Sequence, residues 1–405
     1  MNRFDTIIIG GGPAGIFAAI NCDHGDVLLL ERNEKPGKKL LIAGSGRCNI
    51  THEGQIKDFY DHYGKNGKFL KVALHTFTNI DLINFFSSRG LNTITDKNGK
   101  VFPYTERSGD VLSLLLSESA KKGVQLRTHE KVTNIGIRED FFKVISSVSE
   151  YRCRKLVIAT GGLSYPKTGS TGDGYLFARQ LGHTIVPTRP SLTPVFVSDF
   201  PFVDLAGVSL TDRKISIFRE NRKIDEHTGD IGFTHKGLSG PGILDFSRSI
   251  MEKDELRINF LDISSEELRN LIIESTEKQG KATLQTFFKS HELPRSLVKA
   301  LLDQAGIDPE CTLARVTRDM RNCLIRFFCE CSFKIDRVGG YNMAMVTTGG
   351  VNLDEINPKN MESRLVPNLF FIGEVLDIDG DTGGYNLQAA FSTGYLAAQA
   401  LNSRH

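Results

Sequence analysis

The chain has 405 residues, of which 40% are hydrophobic and 24% charged, with a formal net charge of +2. This length exceeds one ordinary hydrophobic core, so we expect two or three globular domains, and the charge balance gives no reason to expect a nucleic-acid or membrane partner. No apolar run could span a bilayer and the chain opens directly on its first strand, so we expect a cytoplasmic protein without a signal peptide.

The first elements predict a βαβ unit. A short apolar strand at 6–9, a small-residue helix at 13–21 and a second apolar strand at 27–30 follow one another. Strands that alternate with helices in this way pair in parallel. The sequence therefore predicts an α/β fold that begins with a parallel sheet.

The turn between the first strand and the helix carries a nucleotide fingerprint. Gly10, Gly12 and Gly15 have the spacing Gly-x-Gly-x-x-Gly. In such a turn the glycines allow a tight bend, close approach of a pyrophosphate and close helix–strand packing. Glu31 follows the second strand, where a carboxylate can accept hydrogen bonds from an adenosine ribose. We expect further contacts from three neighbours: Pro13, Ala14 and Arg32. Taken alone, this fingerprint leaves NAD and FAD equally open.

The segment 34–51 is predicted to be a loop rich in glycine and lysine. Lys38 and Lys39 would place positive charge near the phosphates, and Gly44 and Gly46 would let backbone N–H groups approach a flat ligand. A solvated basic loop is the alternative interpretation for the two lysines.

Further elements continue the first pattern. We predict helices at 81–89 and 108–122, then strands at 131–137, 141–145 and 154–159. The last strand ends in a second glycine turn, formed by Ala159, Thr160, Gly161 and Gly162. Such a turn fits a ligand that lies across the carboxyl edge of a parallel sheet.

A second domain is predicted to interrupt the first. Four prolines between 187 and 201 favour a boundary, short strands are predicted from 205 to 236, and helices at 266–277, 295–304 and 313–329. A strand at 369–372 and a small-residue helix at 386–401 then return to the first pattern. We therefore expect a nucleotide-binding domain at 1–190 and 336–405, with an insert that is mainly β over 191–260 and mainly helical over 261–335.

The returning segment suggests a second cofactor contact. Gly373 and Glu374 end its strand, and Asp379 lies in the acidic turn that follows. Asp379 could hold the hydroxyls of a ribityl chain. The helix that begins near Asn386 could direct its positive end at the electron-rich edge of a flavin ring.

Two residues are candidates for contact with a substrate. His235 lies in the segment Phe-Thr-His-Lys-Gly-Leu-Ser-Gly-Pro, where a loop could direct it into a cleft, and a histidine can act as acid or base near neutral pH. A structural histidine is the alternative. We also expect Arg47 near a flavin ring, with Cys48 as a second possibility beside passive packing of its thiol.

The seven cysteines predict neither disulfides nor a metal site. Their number is odd and their spacing irregular, and Cys329-x-Cys331 does not have the spacing of a zinc knuckle. No His-Glu-x-x-His or Walker-type pattern is present.

Six stretches together resemble the BaiN-like flavoproteins, a bacterial family also described as YhiN-like or aminoacetone-oxidase-like. They are the glycine turn near the N-terminus and the segments KLLIAGSGRCN, ATGGLSYPKTGSTGDGY, FTHKGLSGP, VTTGGV and FFIGEVLDIDGDTGGYNLQAAFSTG. The matches run in order from residue 5 to about residue 400. The resemblance therefore covers essentially the whole chain.

This resemblance implies FAD in a two-part Rossmann-type domain, with an inserted domain that has a β-barrel-like part and a helical part. The glycine turn would hold the pyrophosphate, and Glu31 the adenosine ribose. Val132 would offer backbone contacts to adenine. The remaining expected flavin contacts are Gly44 to Asn49, with Gly46, Arg47, Cys48 and Asn49 among them, and Gly373, Asp379, Asn386, Leu387 and Gln388.

We therefore predict an FAD-dependent oxidoreductase that acts on a small organic substrate. Because the chain has only one convincing dinucleotide fingerprint, NAD(P)H would dock transiently, or the substrate itself would reduce the flavin. Two alternatives are an NAD-dependent dehydrogenase and a flavin-containing binding or sensor protein without turnover. The substrate, the electron donor and the oligomeric state do not follow from the sequence.

Overall fold

The computed structural model describes residues 2–23 and 25–403. By spatial contact the chain divides into two compact units, one made of residues 1–191 and 341–405 and the other of residues 192–340. Among the described residues, no helix is both long and apolar enough to cross a membrane.

The helices and strands, numbered along the chain, alternate regularly only at its beginning. Before the second unit they are β1 (Asn2–Ile9), α1 (Pro13–Ile20), β2 (Val27–Leu30), α2 (Lys38–Ile42), β3 (Thr51–His52), α3 (Lys71–Thr76), α4 (Asn79–Ser87), β4 (Thr93–Thr95), β5 (Lys100–Pro103), α5 (Ser108–Lys121), β6 (Gln125–Arg127), β7 (Val132–Arg138), β8 (Phe141–Ser146), β9 (Glu150–Ile158), α6 (Asp173–Gln180) and β10 (Ile185–Ser191). The second unit contains β11 (Val195–Val197), β12 (Ser209–Arg219), β13 (Arg222–Thr234), β14 (Gly237–Ser239), α7 (Pro241–Phe246), β15 (Glu255–Asn259), α8 (Ser265–Gln279), α9 (Leu284–Lys289), α10 (Arg295–Gln304), α11 (Arg318–Cys329) and β16 (Cys331–Val338). The first unit resumes with β17 (Val346–Val351), β18 (Leu369–Phe371) and α12 (Tyr385–Asn402).

The main sheet of the first unit has the order β6-β2-β1-β9-β8-β7, and β18 pairs with β9. Four parallel strands end together, because Ile9 is in register with both Leu30 and Ile158, and Ile158 with Phe371. All four residues of β2 are buried, as expected for a parallel strand covered on both faces. The carboxyl ends of these strands form the edge where open α/β sheets bind ligands.

Helices α1 and α12 cross at small residues. Ala14, Ala18 and Ala19 of α1 are buried, and a Cβ atom at Gly394 of α12 would lie 2.7 Å from the Ala14 carbonyl oxygen. Phe17 packs edge-on against Phe391 with ring centroids 5.1 Å apart. The returning helix is thereby fixed against the helix that follows the glycine turn.

The second unit combines a closed barrel with helices. Its six strands are antiparallel and follow the order β11-β14-β13-β12-β15-β16. The last strand, β16, comes after helices α8 to α11 and pairs with both β15 and β11. The unit has its own apolar core, in which Phe288 and Phe328 stack with ring centroids 3.8 Å apart.

Two sequence predictions of elements were wrong. The predicted loop 34–51 contains α2 (Lys38–Ile42), a short helix of which only Leu40 is buried, so the apolar pattern is too short to indicate it. The predicted helix 313–329 is interrupted, because Thr317 caps a new helix by accepting a hydrogen bond from the Met320 N–H group. The segment Ile56–Leu70, a series of 3₁₀ turns, was not predicted at all.

Candidate functional site

The glycines of the first turn have three different surroundings. Gly10 adopts a φ of +112°, and a Cβ atom there would lie 2.4 Å from the Ala159 carbonyl oxygen. At Gly15 a Cβ atom would lie 2.1 Å from the Gly10 carbonyl oxygen. At Gly12, by contrast, it would meet no protein atom within 4 Å. Gly10 and Gly15 therefore serve packing within the protein, whereas the space in front of Gly12 is open to a ligand.

The amino end of α1 is suited to an anion. Gly12 is its N-cap in extended conformation, no side chain caps the helix, and Pro13 occupies the first turn. No acidic residue lies in that turn. Free N–H groups and the positive end of the helix dipole therefore face the open space beside Gly12, which is the arrangement that binds phosphate.

Glu31 lies at the end of β2 and is 6% exposed. Its Oε2 accepts a hydrogen bond of 2.9 Å from the Gly11 N–H group. Its Oε1 accepts two of 2.7 Å each from the backbone and side-chain nitrogens of Asn33. Since each carboxylate oxygen can accept two hydrogen bonds, Oε2 retains the capacity for one ligand hydroxyl.

Cationic side chains around this end of the site are tied to other parts of the first unit. Arg32 forms an ion pair of 2.9 Å with Asp173 at the start of α6. Lys38 Nζ lies 3.4 Å from the Asn33 amide oxygen. Lys39 forms an ion pair of 2.6 Å with Glu374, so two expected cofactor contacts bind one another.

A polar network surrounds the Lys39–Glu374 pair, and the sequence analysis missed most of it. Ser164 donates a hydrogen bond of 3.0 Å to Glu374 Oε1, and the Thr347 N–H group donates another of 3.0 Å. A Cβ atom at Gly162 would lie 2.5 Å from Thr347 Oγ1. The network joins segments that are more than 300 residues apart in sequence. The only sequence signal for it is that Ser164 and Thr347 lie in two of the segments that resemble the BaiN-like family.

The loop that follows α2 is built from left-handed backbone. Gly44, Ser45, Gly46 and Cys48 all have positive φ angles, between +57° and +86°. A Cβ atom at Gly44 would lie 2.9 Å from the Asn49 backbone nitrogen. The glycines therefore allow a tight loop, in which Gly44 and Gly46 have no side chain of their own to cover their peptide groups.

Three side chains of this loop have distinct environments. The Oδ1 atom of Asn49 is buried and has no hydrogen-bond partner among the described residues. Cys48 is fully buried, and burial raises the pKa of its thiol to about 12. Arg47 points outward, with an ion pair of 3.1 Å to Glu106 and its guanidinium 4.4 Å from the Phe102 ring centre.

The returning segment closes onto the glycine turn and the sheet edge. A Cβ atom at Gly373 would lie 2.9 Å from the Ala14 Cβ atom, and Gly373 has a φ of +70°. Asp379 is 8% exposed, and its Oδ2 accepts hydrogen bonds from Ser191 and Thr348 at 3.2 and 2.8 Å. Asn386 fixes the turn before α12, because its Oδ1 accepts from the Gly380 N–H group at 2.8 Å.

Two expected flavin contacts at the start of α12 have packing roles in the structure. Gln388 is fully buried, and its amide oxygen accepts from Thr51 at 2.7 Å. Its amide nitrogen donates to the Phe77 carbonyl and to Ser392. Leu387 packs partly buried against the main core. Little hydrogen-bonding capacity of Gln388 remains for a cofactor.

The expected contacts outside these loops are distributed as follows. Ala159 is buried at the end of β9, beside Gly10, and the buried Oγ1 atom of Thr160 has no partner among the described residues. Gly161 has a φ of +70° and follows directly. Val132 opens β7 and is in register with Ser146.

His235 belongs to the second unit. It lies exposed in the tight turn between β13 and β14, and lines a shallow cavity of about 260 Å³ with Phe196, Phe200, Lys236 and Arg337. Its expected contact with substrate stays a prediction.

Histidines absent from the sequence predictions lie beside the start of α12. The ring of Tyr385 stacks between His62 and His52, with centroid distances of 3.9 and 5.2 Å. His62 Nδ1 lies 3.0 Å from an Asp381 carboxylate oxygen. Spacing could not have indicated this cluster, since His62 and Asp381 are 319 residues apart. Among the described residues, no group of three or more His, Cys, Asp or Glu side chains could hold a metal ion.

The residues of the first unit fit an extended dinucleotide such as FAD. Open space and free N–H groups at Gly12 suit the pyrophosphate, and Glu31 Oε2 suits a ribose hydroxyl. The unpartnered Asn49 Oδ1 suits an N–H donor, which the pyrimidine end of a flavin provides. The buried carboxylate of Asp379 lies on the segment that would follow the ribityl chain.

Comparison with known proteins agrees with this fold. A family model described as the HI0933-like protein Rossmann domain matches residues 4–400. The 3-dehydro-bile acid delta(4,6)-reductase of Clostridium scindens is 32% identical over 415 residues, which cover 100% of each chain. The ribosomal RNA dihydrouridine synthase of Escherichia coli is 35% identical over 412 residues, which cover 99% of this chain and 98% of its own.

Solved structures share the architecture at low identity. The open conformation of a flavocytochrome c3 fumarate reductase superposes with a TM-score of 0.52 and 16% identity, over 99% of this chain and 78% of its own. This likeness shows the fold alone. Together with the family match, it confirms the predicted Rossmann-type domain, into which a barrel and a helical part are inserted.

Proposed function

The chain belongs to the HI0933-like family, which its resemblance to the BaiN-like flavoproteins indicated, and it is an FAD-dependent oxidoreductase; we propose that it reduces a ring carbon–carbon double bond conjugated to a carbonyl group, with electrons from NAD(P)H. The observation that carries this proposal is the site in the first unit. Its open phosphate end at Gly12 and its unpartnered acceptor at Asn49 suit the two ends of FAD.

The substrate class comes from the chemistry that two relatives share. One relative is named as a bile acid delta(4,6)-reductase and the other as a dihydrouridine synthase. Both names describe the saturation of a ring double bond, and in uridine as in a 3-oxo steroid that bond is conjugated to a carbonyl group. This chain is similar to both to about the same degree, at 32% and 35% identity. We therefore propose the shared chemistry, with the steroid and the RNA base as the two substrates to be compared.

In this proposal the chain supplies binding and orientation. Gly12 and the first turn of α1 hold the pyrophosphate, and Glu31 holds the adenosine ribose. Asn49 accepts a hydrogen bond from the pyrimidine end of the flavin, and Asp379 holds the ribityl chain. When bound, FAD supplies the hydride that the substrate carbon receives. In the left-handed loop from Gly44 to Cys48, the two glycines would present backbone rather than side chains to the ring.

NAD(P)H is proposed as a transient electron donor. The turn at Gly10 to Gly15 is the one glycine fingerprint that we recognise in the sequence, and its site is assigned to FAD. An NAD-dependent dehydrogenase would use this turn for NAD, and would leave the loop from Gly44 to Asn49 and the acidic returning segment without a role. We therefore favour the flavoenzyme over that alternative.

Anaerobic mixing tests the proposal. The purified protein should be yellow, and NADPH or NADH should bleach its flavin absorption. Addition of a 3-oxo-4-ene bile acid, or of ribosomal RNA that contains unmodified uridine, should then restore the absorption with formation of the saturated product. Restoration by RNA would correct the expectation that nucleic acid is not a partner. A colourless protein that takes up no FAD, or a reduced flavin that neither substrate reoxidises, would contradict the proposal.

A further inference from the structure

A histidine–carboxylate pair lies beside the amino end of α12, and the proposed function does not yet use it. His62 Nδ1 is 3.0 Å from Asp381 Oδ2. The imidazole stacks on the Tyr385 ring at 3.9 Å with an angle of 14° between the planes. The side chain of His62 is 38% exposed, whereas Tyr385 is 4% exposed. Of these two stacked rings, His62 is thus the one that a substrate can reach.

The position of His62 is fixed from several directions. The Asp381 N–H group donates a hydrogen bond of 2.9 Å to the His62 carbonyl oxygen. Next to it, the Tyr63 hydroxyl donates to the Tyr385 carbonyl oxygen at 2.8 Å. A Cβ atom at Gly380 would lie 2.9 Å from the Tyr63 ring, so the two segments are in close contact. A side chain held in this way loses little entropy when it acts on a bound molecule.

Contacts connect this cluster to the flavin end of the proposed site. A Cβ atom at Gly384, the N-cap of α12, would lie 2.5 Å from backbone atoms of Thr51. Thr51 opens β3, two residues after Asn49, whose Oδ1 is the unpartnered acceptor. Asp381 lies two residues after Asp379, the proposed ribityl contact. The imidazole therefore lies near Asn49 and Asp379, the residues to which the proposed function assigns the flavin ring and the ribityl chain.

The orientation of the imidazole suits a proton donor. Asp381 faces Nδ1, and no hydrogen bond joins Nε2 to any atom in the part of the chain that the structure describes. A carboxylate at Nδ1 fixes the tautomer and leaves Nε2 to exchange a proton with a substrate. A pair that served only as a latch between the two segments would not need a half-exposed imidazole whose Nε2 has no partner among the described residues.

We propose that His62 is the acid that protonates the substrate carbon beside the carbonyl group, and that Asp381 is its positioning residue; this inference rests on the proposed function. The π bond of the substrate breaks as one of its carbons receives a hydride, whose two electrons come from NAD(P)H in the proposed function. The neighbouring carbon takes the proton from Nε2 of the imidazolium. The neutral imidazole keeps its Nδ1 proton toward Asp381, and water returns a proton to Nε2.

Separate measurement of the two half-reactions tests the role of His62. In His62→Gln we expect normal flavin content and a normal rate of reduction by NAD(P)H, because neither needs the acid. Reoxidation by the conjugated substrate should slow at least about 100-fold, the scale of general acid catalysis. His75→Gln is the matched control, since His75 is exposed on α3 and outside the site.

The outcomes of this experiment separate the inference from the proposed function. If His62→Gln is reoxidised at the rate of the unmodified protein, the inference is overturned and the proposed function stands. If no conjugated substrate reoxidises the unmodified protein, both are overturned.

Nitrogen NMR gives a readout that does not depend on turnover. With ¹⁵N-labelled histidine, the signal that is lost in His62→Gln should show the neutral ring protonated at Nδ1. Asp381→Asn should remove this preference and slow substrate reoxidation, whereas Asp61→Asn, an exposed acid next to His62, should change neither. A neutral His62 protonated at Nε2, or an unchanged tautomer in Asp381→Asn, would overturn the assignment of Asp381.

Discussion

At the scale of single residues, Gly12 differs from the packing glycines of the same turn. A Cβ atom at Gly12 meets open space, whereas one at Gly15 would lie 2.1 Å from the Gly10 carbonyl oxygen. We expect Gly12→Val to fold with unchanged secondary structure by circular dichroism but to be isolated without flavin. Gly15→Val, the matched substitution, should fail to fold stably because backbone must move. Normal flavin content in Gly12→Val would contradict our placement of the phosphates.

Glu31 offers a graded test of the other end of the nucleotide. The Glu31 carboxylate accepts hydrogen bonds from the N–H groups of Gly11 and Asn33. In Glu31→Gln, the NH₂ group of the new amide would face one of these donors and could not accept from it. The substitution also removes the negative charge that would accept a hydrogen bond from a ribose hydroxyl. A hydrogen bond to a charged group contributes about 1.5–3 kcal/mol, so FAD binding should weaken roughly 10- to 100-fold. Titration of apoprotein with FAD measures this change. Glu34→Gln, at an exposed neighbour, is the control, and an equal loss there would show that the effect is nonspecific.

Cys48 is expected to be chemically inert. Burial raises the pKa of its thiol to about 12, so at pH 8 it is protonated, and raising the pH to 10 still leaves nearly all of it as the unreactive thiol. Iodoacetamide should label the half-buried Cys311 and Cys323 in the native protein but not Cys48. Peptide mass spectrometry reads out all three. Rapid labelling of Cys48 would show an accessible thiolate and would restore it as a candidate for redox chemistry.

At the scale of elements, the crossing of α1 and α12 connects the two ends of the chain to one site. A Cβ atom added at Gly394 would lie 2.7 Å from the Ala14 carbonyl oxygen, so any side chain at this position must push the two helices apart. We expect Gly394→Val to lose about 1–3 kcal/mol of unfolding free energy in urea, and to lose flavin as well. Gly109→Val in α5, where a Cβ atom meets no neighbour within 4 Å, should retain both. Equal stability of the two variants would contradict the observed crossing.

The accuracy of sequence prediction at this scale followed the length of the apolar pattern. Helix α5 was predicted at 108–122 from Val111, Leu114 and Leu115, and is observed at Ser108–Lys121. Val111 and Leu115 are buried and Leu114 is partly buried against the same core, so the pattern extends over several turns. Helix α2 has five residues and one buried side chain, so its sequence carries no periodicity. The segment Ile56–Leu70 is polar, and tertiary contacts such as that of Tyr63 with Tyr385 determine its conformation.

At the scale of the whole molecule, local motifs indicated the proposed phosphate end of the site but not the pairing of distant residues. Gly10, Gly12 and Gly15 form a signal within six residues, and their surroundings agree with it. Lys39 pairs with Glu374 across 335 positions, and His62 with Asp381 across 319. Such pairs depend on how the returning segment folds back onto the first sheet, and no periodicity in the sequence encodes that distance.

The insertion has a physical consequence for the chain as a whole. Residues 192–340 have their own apolar core and closed barrel, so the first unit does not depend on them for its hydrophobic core. The parallel strand β18 comes after the insertion and is in register with β9. Completion of the proposed nucleotide site therefore requires the segment that returns to the first unit at Tyr341, which carries Gly373, Asp379 and Asn386.

An anaerobic single turnover is the sharpest test of the proposed ring reduction by this flavoenzyme. The flavin of the purified protein is reduced by NAD(P)H, excess donor is removed, and a conjugated ring substrate, either the 3-oxo-4-ene bile acid or uridine-containing ribosomal RNA, is added. We expect one saturated ring per flavin reoxidised, and no product from Gly12→Val. Flavin that stays reduced with both substrates, or product formed by protein that contains no flavin, would contradict it.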